Sequence, residues 1–164
     1  MQGAAVMQLV VRGAHREWDG VMADLTSEQA HYQPAGVANP IVGLLFHVVT
    51  LEDRLINQTI QGKTTVWDSG GWAQKLPAFG RLTLDDARKL KVDLAQFKEY
   101  AKAVGASTEA YLSRLTDAEL DREVQGFRGP TPVANMLIVV AGQCLEHGGE
   151  VAVLKGLQGA RGYA

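Results

Sequence analysis

One cysteine in 164 residues cannot form an internal disulfide, and no C-x-x-C pair exists, so disulfide scaffolds and cysteine zinc ribbons are excluded. Positive charge is not in excess: 16 basic residues stand against 18 acidic ones for a net charge of −2. The basic residues are scattered and form no electrostatic footprint for nucleic acid. No uninterrupted apolar run approaches the roughly 18 residues that span a bilayer. The apolar stretch from Ala4 to Val11 lacks basic residues before it and a small-residue cleavage site after it, a poor match to a signal peptide. There is no internal repeat, no low-complexity tract, no G-x-G-x-x-G and no nucleophile elbow. Gly62-Lys63-Thr64 looks like the end of a phosphate-binding loop, but Asn57 occupies the place of its first glycine and a helix precedes it. The expectation is a single domain over residues 1–164, cytoplasmic, with neither nucleic acid nor membrane as partner, and long enough to bury a sizeable core.

No segment of useful length alternates like a strand, whereas four carry helical periodicity. Helix 1 is expected from Gly3 to about Leu25, with Val6, Leu9, Val10, Gly13 and Val21 as its repeating stripe. Thr26-Ser27-Glu28-Gln29 then starts a short turn that Pro34 stops. Asn39 and Pro40 suit the cap and first position of helix 2, which runs to Gln61 with Leu44, Val48, Leu51 and Leu55 as its core stripe. Helix 3 is expected from Thr83 to about Leu115, with an approximate capping box to Asp86 and Gly105 weakening its middle. Helix 4 opens at Thr131-Pro132 and ends at Gly159. Thr116-Asp117-Ala118-Glu119 is a further capping-like signal. The connection over residues 62–82, holding Trp67, Trp72 and Phe79, is long for a compact domain. These features predict an all-α four-helix bundle with a long crossover connection between helices 2 and 3.

Helix 4 contains the sharpest anomaly. Met136, Val140, Gln143, His147, Glu150, Leu154 and Leu157 fall on one seam at spacings of four and three, apolar at both ends and polar in the middle. Three polar residues facing a core need partners or a cavity, because each buried unpaired costs about 1–3 kcal/mol. Gly148 and Gly149 beside them suggest the close approach of a backbone or ligand. The alternative is a hydrogen-bonded polar layer that sets bundle register. His47, at the edge of the helix 2 stripe, is the natural partner from a facing helix. Cys144, adjoining Gln143 on the apolar side, reads as a buried structural thiol, and His15, between Ala14 and Arg16, reads as solvated. Glu28-x-x-His31 looks like half of a carboxylate-histidine metal motif, but no second copy exists.

Gly43-Leu44-Leu45-Phe46-His47, Glu52-Asp53-Arg54, Gly62-Lys63 with Trp67 and Gly71-Trp72, Glu146-His147-Gly148-Gly149-Glu150-Val151, and the closing Leu154-Lys155-Gly156-Leu157-Gln158-Gly159 with Arg161-Gly162-Tyr163 occur in that order. Together they resemble the DinB/YfiT-like superfamily of metal-dependent enzymes, in its DinB-like branch, over nearly the whole chain. The resemblance implies a four-helix bundle whose metal is held by one histidine of helix 2 and an H-x-x-x-H pair of helix 4. It also implies transfer or isomerisation chemistry using low-molecular-weight thiols. Carried over, His47 matches the helix 2 ligand and His147 the second histidine of the pair, while the first falls on Gln143.

That departure matters chemically, since imidazole suits zinc, nickel and iron(II) and a neutral amide oxygen binds them weakly. A carboxylate would restore a three-ligand set with an open position. Glu150, one turn beyond His147, fits better than Glu146, which points about 100° away from position 147. The resemblance then implies a divalent metal (zinc, nickel or manganese) that takes a thiol or water in its open position and lowers its pKa. Glu150 or Glu146 would accept a proton or orient His147. Two functions follow as expectations. One is a metal-dependent thiol S-transferase acting on a small-molecule substrate. The other is a bundle that has lost its metal at Gln143 and serves as a small-molecule binding or interaction protein. A homodimer is the expected assembly, through the apolar faces of helix 1 and the tryptophan-bearing connection.

Overall fold

The computed structural model describes residues 2–163. Four long helices form the body: α1 (Gly3–Met22), α3 (Ile41–Asp53), α6 (Leu94–Leu112) and α8 (Val133–Gly156). Between them lie the short helices α2 (Ser27–His31), α4 (Val66–Ser69), α5 (Leu84–Lys89) and α7 (Asp117–Asp121), a 3₁₀ turn at Trp72–Gln74, and a hairpin of β1 (Glu123–Gly126) with β2 (Gly129–Pro132). α8 is the hub, packed along α1 on one side and α3 on another, while α6 packs on α3. The protein is the all-α bundle that the periodicity predicts, with one small two-stranded addition.

Local chemistry sets most boundaries. Thr26 accepts from the Gln29 amide while Gln29 Oε1 accepts from the Thr26 amide, a complete capping box opening α2. Thr83, Asp93 and Thr116 cap α5, α6 and α7 by accepting first-turn amides with their side chains, without the reciprocal bond. The expected single helix 3 is therefore two helices. Leu90 is extended, the Val92 amide bonds to His31 Nε2 at 3.1 Å, and Asp93 caps a new start. Gly105 does not interrupt α6. Thr131 and Pro132 belong to β2, so α8 starts at Val133. In α1 the buried stripe is Ala4, Val11, Ala14, Trp18 and Val21, and the expected Val6, Leu9 and Val10 are exposed. The register follows Trp18, whose large ring takes the core position.

α3 leaves α-geometry at its end and runs as a π-helical segment over Arg54–Ile60. The fully buried Asp53 sits at this change. Its carboxylate accepts from the Val66 and Trp67 amides, Tyr100 Oη and Asn57 Nδ2, all at 2.8–2.9 Å. Four donors satisfy both oxygens. They tie the start of α4, and with it the long connection, onto α3 and α6. Trp67 packs on Tyr100 and Phe79 with centroids 5.4 and 5.1 Å apart, so it anchors that connection to the core.

By length and composition alone α8 could cross a membrane. Here α8 is the helix on which the bundle is built.

Candidate functional site

α3 and α8 carry the polar seam toward each other. Met136, Val140 and Leu154 are buried, Gln143 and His147 half-buried, and Glu150 and Leu157 exposed. His47 of α3 meets the middle of this seam: its Nε2 lies 2.7 Å from Gln143 Oε1. An amide oxygen only accepts, so His47 Nε2 holds the proton in this arrangement. The other end of the amide, Gln143 Nε2, donates to Glu146 Oε2 at 3.3 Å. The His47 and His147 rings stand edge to face with centroids 5.0 Å apart. His147 Nδ1 is 2.9 Å from Glu150 Oε2, which leaves Nε2 as the ring's free nitrogen.

The structure thus brings His47, Gln143, His147, Glu146 and Glu150 into one connected group. A cavity of about 270 Å³ opens on it, lined by Asn39, Leu44, Arg81 and Leu82 besides the two histidines. Desolvation, foremost, pushes the His47 pKa down and the Arg81 charge pushes the same way, while the hydrogen bond to Gln143 opposes them. Gly43 on the same wall serves packing: a Cβ there would lie 2.8 Å from Ala87 Cβ, so α5 rides directly on α3. Gly148 and Gly149 do not have that role, since a Cβ at Gly148 would meet only ordinary contacts and at Gly149 open space.

A second cluster lies on another face of α8. His15 of α1, Glu52 of α3 and Cys144 of α8 offer ligand atoms all within 4.8 Å of one another, a group that could hold a metal ion. His15 Nε2 is 3.2 Å from Glu52 Oε2, and the Thr108 hydroxyl donates to Glu52 Oε1 at 2.5 Å. His15 is therefore partnered and half-buried, not solvated as its neighbours in sequence suggest. Cys144 is fully buried, as expected, and burial pushes its thiol pKa up, with Glu52 and Asp19 adding to the effect. Glu28 and His31 form no such group: His31 Nδ1 bonds the Ser27 carbonyl at 2.7 Å and its Nε2 serves Val92. The second cluster escapes sequence reasoning because its three members come from three helices with no shared motif. The one signal was an acidic residue, Glu52, at a buried position of an otherwise apolar helix.

Residues 11–151 match the family described as the DinB superfamily. The chain belongs to that superfamily. A crystal structure of a conserved protein from Enterococcus faecalis has the same fold, with a TM-score of 0.79 at 19% identity over 94% of this chain and 96% of that one. No curated protein matches the chain.

Proposed function

We propose that this member of the DinB superfamily is a divalent-metal-dependent enzyme acting on a small molecule in the cleft between α3 and α8. The observation that carries the reading is the meeting of His47 and His147, one from each helix, with Gln143 bridging them at 2.7 Å from His47. Metal dependence is also what membership of the family supports.

The donor set fits an ion, though with less affinity than three imidazoles would have. His147 has the arrangement of a ligating histidine, with Nδ1 on a carboxylate and Nε2 free. His47 Nε2 and Gln143 Oε1, 2.7 Å apart, would hold the ion together with His147 in place of the hydrogen bond between them, with the His47 proton on Nδ1. Neutral His47, which burial and the Arg81 charge favour, is the form that ligates. The bound ion supplies Lewis-acid activation of a thiol or water at neutral pH.

The chain's own residues do the rest. Glu150 holds His147 in one orientation and tautomer. Glu146, already on the Gln143 amide, accepts the proton that the nucleophile gives up. Arg81 brings the cleft a positive charge to hold an anionic group of the substrate. Leu44 and Leu82 wall the cleft and limit water. The finer reading is S-transfer to or from a low-molecular-weight thiol, which a cleft of about 270 Å³ can admit in part.

One observation favours a second reading. The His47–Gln143 hydrogen bond satisfies both groups without an ion, as in a bundle that binds an organic ligand and no metal. Elemental analysis of the untagged protein, loaded in turn with zinc, nickel or manganese and freed of excess, separates the two. The wild type should retain about one equivalent more than His147→Ala and His47→Ala. Equal retention in all three proteins removes the enzyme reading in favour of the second.

A further inference from the structure

We propose that His15, Glu52 and Cys144 form a second divalent-metal site, distinct from the cleft, with a thiolate–imidazole–carboxylate ligand set and an open side on the cavity between α1, α3 and α6. Position 144 points about 100° away from position 143 around α8, so the two sites face different parts of the bundle. The three ligand atoms lie within 4.8 Å of one another. For a tetrahedral ion, bond lengths of about 2.0 Å to nitrogen or oxygen and 2.3 Å to sulfur require donor separations of roughly 3.3–3.6 Å. The observed 3.2 Å between His15 Nε2 and Glu52 Oε2 already meets this. The thiol has only to close in.

The setting is that of a built site. Glu52 and Cys144 are buried, and Thr108 holds the far oxygen of Glu52 at 2.5 Å, the kind of outer hydrogen bond that orients a ligating carboxylate. Asp19 joins them: it and His15 line a cavity of about 420 Å³ together with Glu52. Glu109 also faces His15, and Lys98 and Lys102 stand on the cavity wall. Glu52 and the Cys144 thiol thus stand beside one imidazole, with Asp19 on the wall of the adjoining cavity. A His15–Glu52 ion pair with the thiol as filler is the competing account. It leaves unused the convergence of three ligand atoms from three helices.

The chemistry of the set chooses the metal. Thiolate with imidazole favours zinc or cobalt(II) over magnesium or manganese. A water would take the fourth position from the cavity side, and the remaining volume admits a small ligand.

Cobalt(II) titration of the reduced full-length protein tests this, because a cysteine thiolate bound to cobalt gives a near-ultraviolet charge-transfer band that imidazole and carboxylate do not. The band should appear at one equivalent, persist in the His47→Ala/His147→Ala double variant, and vanish in Cys144→Ala. Thr108→Val should keep the band and weaken binding roughly 10-fold. Cys144→Ser and His15→Asn guard against a folding defect, and both should lose the band with the circular dichroism unchanged. A folded wild type with no band overturns the proposal, as does a band that disappears with the cleft histidines. Failure here leaves the cleft assignment standing, since that site contains no sulfur.

Discussion

At the scale of single residues, Gln143 controls the cleft. Its oxygen holds the His47 proton and its nitrogen holds Glu146, so one side chain sets both the ligand tautomer and the acceptor's position. Gln143→His replaces the weak donor with an imidazole and should raise zinc affinity at least about 10-fold by competition with a chromophoric chelator. Glu150→Gln removes the charge behind His147 and should lower the affinity of the same site about 10–100-fold without changing its stoichiometry. A different residue governs acid stability. Lys155 is fully buried and donates to Asp24 Oδ1 at 2.5 Å and to the Val21 carbonyl at 3.0 Å. The Lys155 hydrogen bond, foremost, holds the Asp24 carboxyl below its ordinary value of 3.8. A depressed acid stabilises the folded state above the unfolded pKa, and that stability is lost as pH falls through the lower folded value. Asp24→Asn should therefore melt at a lower temperature than the wild type at pH 7. The gap should narrow as pH falls below about 3.8 and close beneath the depressed folded value; a gap that does not narrow with acid would assign the effect to something other than the charge.

At the scale of elements, two contacts position the long connection that walls the cleft. Asp53 receives four donors from the π-helical segment, α4 and α6, and its truncation leaves all four unsatisfied in a buried place. Asp53→Ala should cost about 3 kcal/mol or more in urea unfolding and should speed hydrogen exchange at the Val66 and Trp67 amides first. Gly43 lets α5 seat on α3 at a point where a Cβ would come to 2.8 Å from Ala87 Cβ. Gly43→Ala should destabilise by about 1–3 kcal/mol, and Ala87→Gly in the same chain should recover part of that loss, visible as coupling in a double-mutant cycle.

The elements also show what the sequence makes legible. The cap signals at Thr26, Thr83 and Thr116 and the seam of α8 could be read directly, because each depends on residues within one turn of each other. The break at Leu90–Val92 could not, although Asp93 is a second cap signal ten positions after Thr83. It depends on His31, sixty-one residues away. The hairpin at β1–β2 rests on Gly126 and Gly129 allowing a tight return, with only Val124 buried, so it has no alternating apolar pattern to detect. In α1, apolar residues occur on both faces, and the choice of register came from Trp18 meeting the core.

At the scale of the whole molecule, α8 divides two groups of metal-capable side chains that the other helices complete. On one face α3 contributes His47, and on the other α1 and α3 contribute His15 and Glu52. The sequence pointed to the first because its members share a seam and a resemblance, and missed the second because spatial convergence alone assembles it. The proposed function requires that the first group hold a divalent ion. Calorimetric zinc titration of the Cys144→Ala protein, in which the sulfur site is removed, tests it most directly. One equivalent should bind in that background, and none should bind when His147→Ala is added. If the Cys144→Ala protein is folded and binds no zinc, or binds it equally well without His147, the cleft is not a metal centre.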